Sequence, residues 1–174
     1  MPAIYVCPLS QVAATVASTR ASHLMSVINA ATPVERPETI AEANHLFVGI
    51  NDIVEAQDGM ILPGEEHVRR VIEFAGTWSR EQPMVVHCYA GISRSTAAAF
   101  ITLCAVRPER DEREIAQRLR AASRVATPNP LLISLADRLL RRDGRMVAAI
   151  AEIGRGEDAV ENVPFGLPLM VGAG

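Results

Sequence analysis

Short apolar runs alternate along this chain with longer segments of helical periodicity, and that alternation limits the folds open to it. Each run spans four to six residues and is followed by turn residues, which is typical of buried strands. In the segments between the runs, apolar residues recur every three or four positions, as in amphipathic helices. The predicted strands cover residues 4–7, 23–28, 46–50 and 83–87. The predicted helices cover residues 11–20, 63–78, 96–106, 115–122, 132–139 and 146–153.

Strands that alternate with helices predict a three-layer α/β domain, with a central, mostly parallel sheet flanked by helices. A length of 174 residues suits a single domain. We expect residues 1–160 to form it and residues 161–174 to form an apolar C-terminal tail that packs along the domain or onto a partner subunit. Ligands of such sheets bind outside the carboxyl ends of the strands. Asp52 and Cys88 both lie just past a predicted strand, so that edge is the expected site.

Composition and charge exclude several classes of protein. Apolar residues make up 49% of the chain and charged residues 21%, which indicates a globular protein and not a disordered one. The longest uncharged apolar run, residues 96–106, is too short to span a bilayer, and no export signal is evident, which favours a cytoplasmic location. Three widely spaced cysteines argue against a disulfide framework. A net charge of −3 gives no basic excess of the kind that is typical of nucleic-acid-binding proteins.

The most informative segment, residues 87–95, follows the fourth predicted strand and reads His-Cys-Tyr-Ala-Gly-Ile-Ser-Arg-Ser. Five residues separate Cys88 from Arg94, enough for the backbone to curl so that successive N–H groups point inward at a phosphate. The helix predicted to follow adds its positive end to the same point. The pattern therefore predicts a phosphate-binding loop in which the backbone of Tyr89, Ala90, Gly91, Ile92 and Ser93 binds the substrate.

Each side chain at the ends of this loop has a chemical role that suits phosphoryl transfer. The field of the loop favours the thiolate form of Cys88, the nucleophile, and the guanidinium of Arg94 can grip two phosphate oxygens. Gly91 permits a close backbone approach that a Cβ atom would hinder. Ser95 can donate a hydrogen bond to the Cys88 sulfur, or cap the helix, or do both. We expect His87 to orient the loop through hydrogen bonds and not to act as the base.

The pattern H-C-x-x-G-x-x-R-[S/T] resembles the signature loop of the cysteine-dependent protein tyrosine phosphatases, and the chain looks like a dual-specificity-like, bacterial member. The resemblance is strongest over residues 51–106 and extends towards residue 143. It implies the three-layer fold of that family and two-step hydrolysis of phosphate monoesters, such as phosphotyrosine-type protein substrates, through a phosphocysteine. It also implies no metal or other cofactor, and a monomer or homodimer that acts on a phosphorylated protein or small phosphomonoester, without nucleic acid or membrane.

Members of this family take the proton for the leaving group from an aspartate on a loop before the cysteine. Asp52 precedes Cys88 by 36 positions and Asp58 precedes it by 30. The Asn51-Asp52 pair at a strand end resembles the dual-specificity branch more closely, which favours Asp52, whereas Gly59 makes Asp58 a typical turn residue. Asn129, which follows a proline, resembles a segment near the active-site loop of dual-specificity members, although a helix start explains it equally well.

Two other functions stay open at this point. A phosphate-binding loop with weakened catalysis describes a binding module, or pseudophosphatase, and rhodanese-like sulfur transfer also uses a cysteine loop. The loop residues between Cys88 and Arg94 carry no charge, unlike the basic loops of phosphoinositide phosphatases. The remaining cysteines and histidines lack such neighbours or metal-ligand spacing and are expected in ordinary core or surface positions. They are Cys7, Cys104, His23, His45 and His67.

Overall fold

The computed structural model describes residues 2–169, and every strand and helix predicted from the sequence is present in it. The strands are β1 (Ala3–Pro8), β2 (His23–Ile28), β3 (His45–Gly49), β4 (Met84–Cys88) and β5 (Phe165–Pro168). The helices are α1 (Val12–Thr19), α2 (Glu65–Thr77), α3 (Arg94–Val106), α4 (Glu112–Ala122), α5 (Pro130–Leu139) and α6 (Arg145–Ile153). Short 3₁₀ turns cover Leu9–Gln11 and Glu42–Asn44.

The strands form one mixed sheet in the order β3-β2-β4-β1-β5. β4 lies in the middle, and the pairs β1–β4, β2–β4 and β2–β3 are parallel. β5 runs antiparallel to β1 at the edge of the sheet. The expected three-layer architecture with a mostly parallel sheet is thereby confirmed, with this antiparallel edge strand as an addition.

Alternation along the strands divides the interior into two cores, one on each face of the sheet. On β4, Met84 and Val86 belong to the larger core, whereas Val85 belongs to the smaller. The larger core contains residues of α2 to α6, and the smaller contains Val12 and Val16 of α1. Among the described residues, 2–169, no helix is long and apolar enough to cross a membrane.

β5 is the element that the sequence analysis did not predict. Its four residues include a glycine and a proline, so no strand periodicity marks it. Pairing with β1 decides its conformation, since Leu167 lies opposite Ile4 and is only 3% exposed. The described part of the expected apolar tail therefore packs along the domain and covers the edge of β1. Residues 170–174 of that expected tail lie outside the described residues.

α3 is almost entirely buried and sits directly after the loop that follows β4. Its alanine-rich sequence has high helix propensity and small side chains, which lets the helix pack closely in the larger core. The loop of residues 89–93 thus connects the central strand of the sheet to a buried helix. Both ends of the loop are fixed by rigid elements.

Candidate active site

Cys88 ends the central strand β4, and its side chain is 2% exposed. Two polar groups lie within hydrogen-bond distance of its sulfur. The backbone N–H of Gly91 donates to Cys88 Sγ over 3.3 Å, and Ser95 Oγ lies 3.0 Å from the same atom. A sulfur that accepts hydrogen bonds from an amide and a hydroxyl is stabilised in its anionic form, which is the nucleophile.

The carbonyl groups of residues 89–93 all accept hydrogen bonds from residues outside the loop. The donor–acceptor pairs are Leu9 N to Tyr89 O (3.0 Å), Asn162 N to Ala90 O (2.8 Å), Asn162 Nδ2 to Gly91 O (2.9 Å), Thr127 N to Ile92 O (2.9 Å) and Asn129 N to Ser93 O (3.2 Å). In a planar trans peptide, the N–H of the next residue points away from the carbonyl. The N–H groups of residues 90–94 are therefore turned into the loop, where a phosphate oxygen can accept from them.

Gly91 is required at the tightest point of this loop. Its φ is +74°, a backbone conformation that residues with a side chain rarely adopt. A Cβ atom there would lie 2.9 Å from the backbone of both Cys7 and Pro8 on the neighbouring strand β1. Any larger residue would push the loop away from β1 and move the N–H that reaches the Cys88 sulfur.

Arg94, the first residue of α3, is 7% exposed and its guanidinium is anchored along one edge. Nη1 donates to Asn29 Oδ1 over 2.6 Å and to the carbonyl of Ile50 over 2.8 Å. Within the part of the chain that the structure describes, the buried Nε has no hydrogen-bond partner. A buried donor of this kind costs about 1–3 kcal/mol unless it is satisfied. An anion held in the loop would satisfy it, because Nε belongs to the fork that grips phosphate oxygens.

Asp52 is held against the loop, whereas Asp58 is not held in this way. Asp52 Oδ1 accepts hydrogen bonds from Ser93 Oγ over 2.7 Å and from Asn129 Nδ2 over 2.9 Å. Asp58 lies exposed in a turn beside Gly59, whose φ is +75°. The structure thus brings Asp52 to the site, and its role as the acid remains a prediction. Asn129 joins the two segments and also caps α5.

His87 lies fully buried behind the loop, on the opposite side of β4 from Cys88. Burial lowers the pKa of His87 from 6.5 to about 4, so the ring is neutral at pH 7. Nδ1 donates to the carbonyl of Cys88 over 3.1 Å, which leaves Nε2 to accept from Ser26 Oγ at 2.7 Å. Ser26 Oγ in turn accepts from His45 Nε2 at 2.9 Å. This geometry suits a residue that orients the loop and gives His87 no position as a base.

The lowered pKa of His87 predicts a specific loss of stability in acid. Between about pH 6.5 and pH 4 the unfolded chain binds a proton at this residue that the folded chain does not, so stability falls as the pH falls through that window. The full effect is about 3 kcal/mol. We expect the free energy of urea unfolding to drop between pH 7 and pH 4.5 by about 2 kcal/mol more in the wild type than in His87→Asn. The same pH dependence in both proteins would contradict a neutral, buried His87.

The other cysteines lie in the core, as the sequence predicts. Cys7 and Cys104 are fully buried, and burial raises the pKa of each thiol to about 12. They therefore stay protonated at neutral pH and compete poorly with Cys88 as nucleophiles. Among residues 2–169, no group of three His, Cys, Asp or Glu side chains is placed to hold a metal ion.

Three supporting residues were missed by the sequence analysis. Asn29 holds Arg94, Ser26 contacts His87, and Asn162 holds two carbonyls of the loop. Each is a single polar residue far from residues 87–95 in sequence, and none belongs to a recurring pattern. The only signal was that Asn29 ends a predicted strand at the same edge of the sheet as Asp52 and Cys88.

Comparison with known proteins gives a match to one family model and a set of solved structures with a similar fold. Residues 58–127 match the family model described as protein-tyrosine phosphatase. No curated protein matches the chain. Among solved structures, human DUSP28 is 16% identical with a TM-score of 0.62, covering 80% of this chain and 92% of its own. The Yvh1 phosphatase domain from Chaetomium thermophilum is 20% identical with a TM-score of 0.62, covering 82% and 93%. PTPMT1 in complex with PI(5)P is 14% identical with a TM-score of 0.60, covering 85% and 94%.

Proposed function

We propose that this chain, a member of the cysteine-dependent protein tyrosine phosphatase superfamily, hydrolyses phosphate monoesters through a phosphocysteine intermediate. The observation that carries the proposal is the loop around Cys88. Its carbonyls are bound from outside, its N–H groups face inward, and the buried Nε of Arg94 has no partner among the described residues. That arrangement matches a tetrahedral oxyanion in charge and in donor geometry.

In the first step, the loop N–H groups and Arg94 hold the non-bridging oxygens of the substrate phosphate and neutralise their charge. The Cys88 thiolate attacks phosphorus in line with the bond to the leaving oxygen. The S–P bond forms as that P–O bond breaks. Asp52 Oδ1 already accepts two hydrogen bonds, so the proton of the acid form lies on Oδ2 and passes to the leaving oxygen.

In the second step, water attacks the phosphorus of phosphocysteine and the P–S bond breaks. The Asp52 carboxylate, left ionised by the first step, takes the proton from that water. Ser95 Oγ, 3.0 Å from Cys88 Sγ, donates a hydrogen bond to the departing thiolate and makes it a better leaving group. Inorganic phosphate leaves, and the thiolate and the protonated aspartate are restored.

A phosphotyrosine-type substrate suits this site better than a phosphoserine-type one. Cys88 is 2% exposed while the adjacent Tyr89 is 66% exposed, so the sulfur lies below a projecting rim. An aryl phosphate extends further from a peptide backbone than a seryl phosphate does, and it can reach the nucleophile without drawing the backbone into the loop. The aromatic ring of Tyr89 offers an apolar contact for the substrate at that rim.

The charges around the loop argue against a substrate with several phosphates. A groove of about 240 Å³ next to Ser93 is lined by Asp52, Glu157 and Asp158, with Arg155 as its one basic side chain. Arg155 pairs with Asp158, and Arg124 pairs with Glu157, so the described residues that line this groove offer additional phosphates no unpaired basic side chain. PTPMT1 was crystallised with PI(5)P, so a phosphoinositide should be included among the substrates in a test of this function.

A rate panel with excess EDTA tests the function. We expect turnover of para-nitrophenyl phosphate without added metal, and kcat/KM at least about tenfold higher for a phosphotyrosine peptide than for the same peptide with phosphoserine. Phosphoinositide and nucleotide substrates should rank below both. Vanadate binding without turnover of any substrate would instead indicate a phosphate-binding module. Transfer of sulfur from thiosulfate to cyanide would indicate a rhodanese-like enzyme.

A further inference from the structure

We infer that Asn162, in the segment that follows α6, is a positioning residue for the phosphate loop. The inference rests on the proposed function, since it assigns Asn162 to the same anion site. Asn162 lies 71 positions after Gly91 in sequence, and it is 7% exposed. It contacts the loop from behind, so it does not touch the phosphate itself.

Asn162 binds two consecutive carbonyl oxygens of the loop. Its backbone N–H donates to Ala90 O over 2.8 Å, and its side-chain Nδ2 donates to Gly91 O over 2.9 Å. These two bonds turn the N–H groups of Gly91 and Ile92 inward, because each N–H points away from the preceding carbonyl. The observed bond from Gly91 N to Cys88 Sγ, 3.3 Å long, shows the first of these groups in that orientation.

Loss of the Asn162 side chain should weaken anion binding in the loop. A carbonyl that loses its donor becomes a buried, unsatisfied acceptor, and rotation of its peptide is one way to find a new partner. Such a rotation at residue 91 would turn an oxygen towards the phosphate and withdraw an N–H from it. Because Gly91 has no Cβ atom, its peptide rotates more easily than those of its neighbours, and the bond from Asn162 Nδ2 holds it in place.

Asn162 is itself held in place by contacts on both sides. Its side chain bonds to Ser123 Oγ, which lies 2.9 Å from Nδ2 and 3.3 Å from Oδ1. Before it, Gly156 N donates to Thr127 Oγ1 and Glu157 N donates to the carbonyl of Arg124. After it, β5 pairs with β1. The segment is therefore tied to the domain at both ends, and Asn162 presents its two donors to the loop from a fixed position.

The test compares the wild type with Asn162→Ala and Asn162→Asp. The alanine variant keeps the backbone bond to Ala90 and loses the side-chain bonds to Gly91 and to Ser123. We expect vanadate affinity and kcat/KM each to fall about tenfold, which is the value of one hydrogen bond. The aspartate variant keeps the shape but places a carboxylate against the Gly91 carbonyl, so both should fall about a hundredfold.

Ile115→Val is the matched control for stability. It removes one buried methyl group from α4 and no hydrogen bond, at a cost of about 0.5–1.5 kcal/mol. We expect it to lower the melting temperature while leaving vanadate affinity and kcat/KM at wild-type values. Asn162 variants that follow the control in all three readouts would overturn the inference. Weakened vanadate binding in the Asn162 variants of a protein with no turnover would uphold it and contradict the proposed phosphatase function.

Discussion

Replacing Cys88 by serine should abolish turnover and spare oxyanion binding. We expect Cys88→Ser to lower kcat by about 10⁴-fold or more, in the range found when a covalent nucleophile is removed. A serine hydroxyl in this loop is far less ionised than a thiol and cannot attack phosphorus at a comparable rate. In the proposed site the donors to the anion are backbone N–H groups and Arg94, and the substitution changes neither. Vanadate or tungstate should therefore still bind reversibly, as isothermal titration calorimetry would measure.

Two further variants serve as comparisons, one expected to keep turnover and one expected to lose it. Cys104→Ala changes a buried thiol that burial keeps protonated, so turnover should stay close to the wild-type rate. Arg94→Lys should lose turnover as well, because a point charge cannot replace the fork that anchors to Asn29 and grips the phosphate. Turnover near the wild-type rate in Cys88→Ser would rule out the phosphocysteine route.

Asp52→Asn should slow turnover in a way that depends on the leaving group. For phosphotyrosine, whose leaving group is poor, we expect a fall in kcat of about 10²–10⁴-fold. An activated aryl phosphate leaves with little protonation, so its loss should be much smaller. Asparagine keeps an oxygen for the bonds from Ser93 and Asn129, and the loop should hold its shape.

Asp58→Asn is the paired control for this experiment. Asp58 is exposed in a turn, and its substitution should change little beyond the stability of that turn. A large, leaving-group-dependent loss in Asp58→Asn, with Asp52→Asn near wild type, would assign the acid role to Asp58. Equal losses at both positions for every leaving group would show that neither is the acid and that the loop from Asn51 to Pro63 positions the substrate.

The secondary structure of residues 2–160 could be predicted closely from sequence. Strands such as β2 and helices such as α2 are marked by apolar periodicity, which depends only on nearby residues. β5 could not be predicted, since four residues with a glycine and a proline acquire strand conformation only by pairing with β1. Sequence alone could not decide between Asp52 and Asp58 either, because both lie on one loop. Only the folded structure places Asp52 beside Ser93.

The local sequence by itself determined the loop between Cys88 and Arg94 and the identity of the residues that line it. A strand, five residues with a glycine at the tight point, and a helix that begins at Arg94 encode a cradle whose chemistry is local. Only the tertiary structure decided which residues bind the carbonyl groups of that loop and so keep its N–H groups turned inward. The donors to its carbonyls come from Leu9, Thr127, Asn129 and Asn162, and Arg94 is aimed by Asn29. Hydrogen-bond partners of this kind are set by distance in space, and a single polar residue carries no mark in sequence of the partner it will meet.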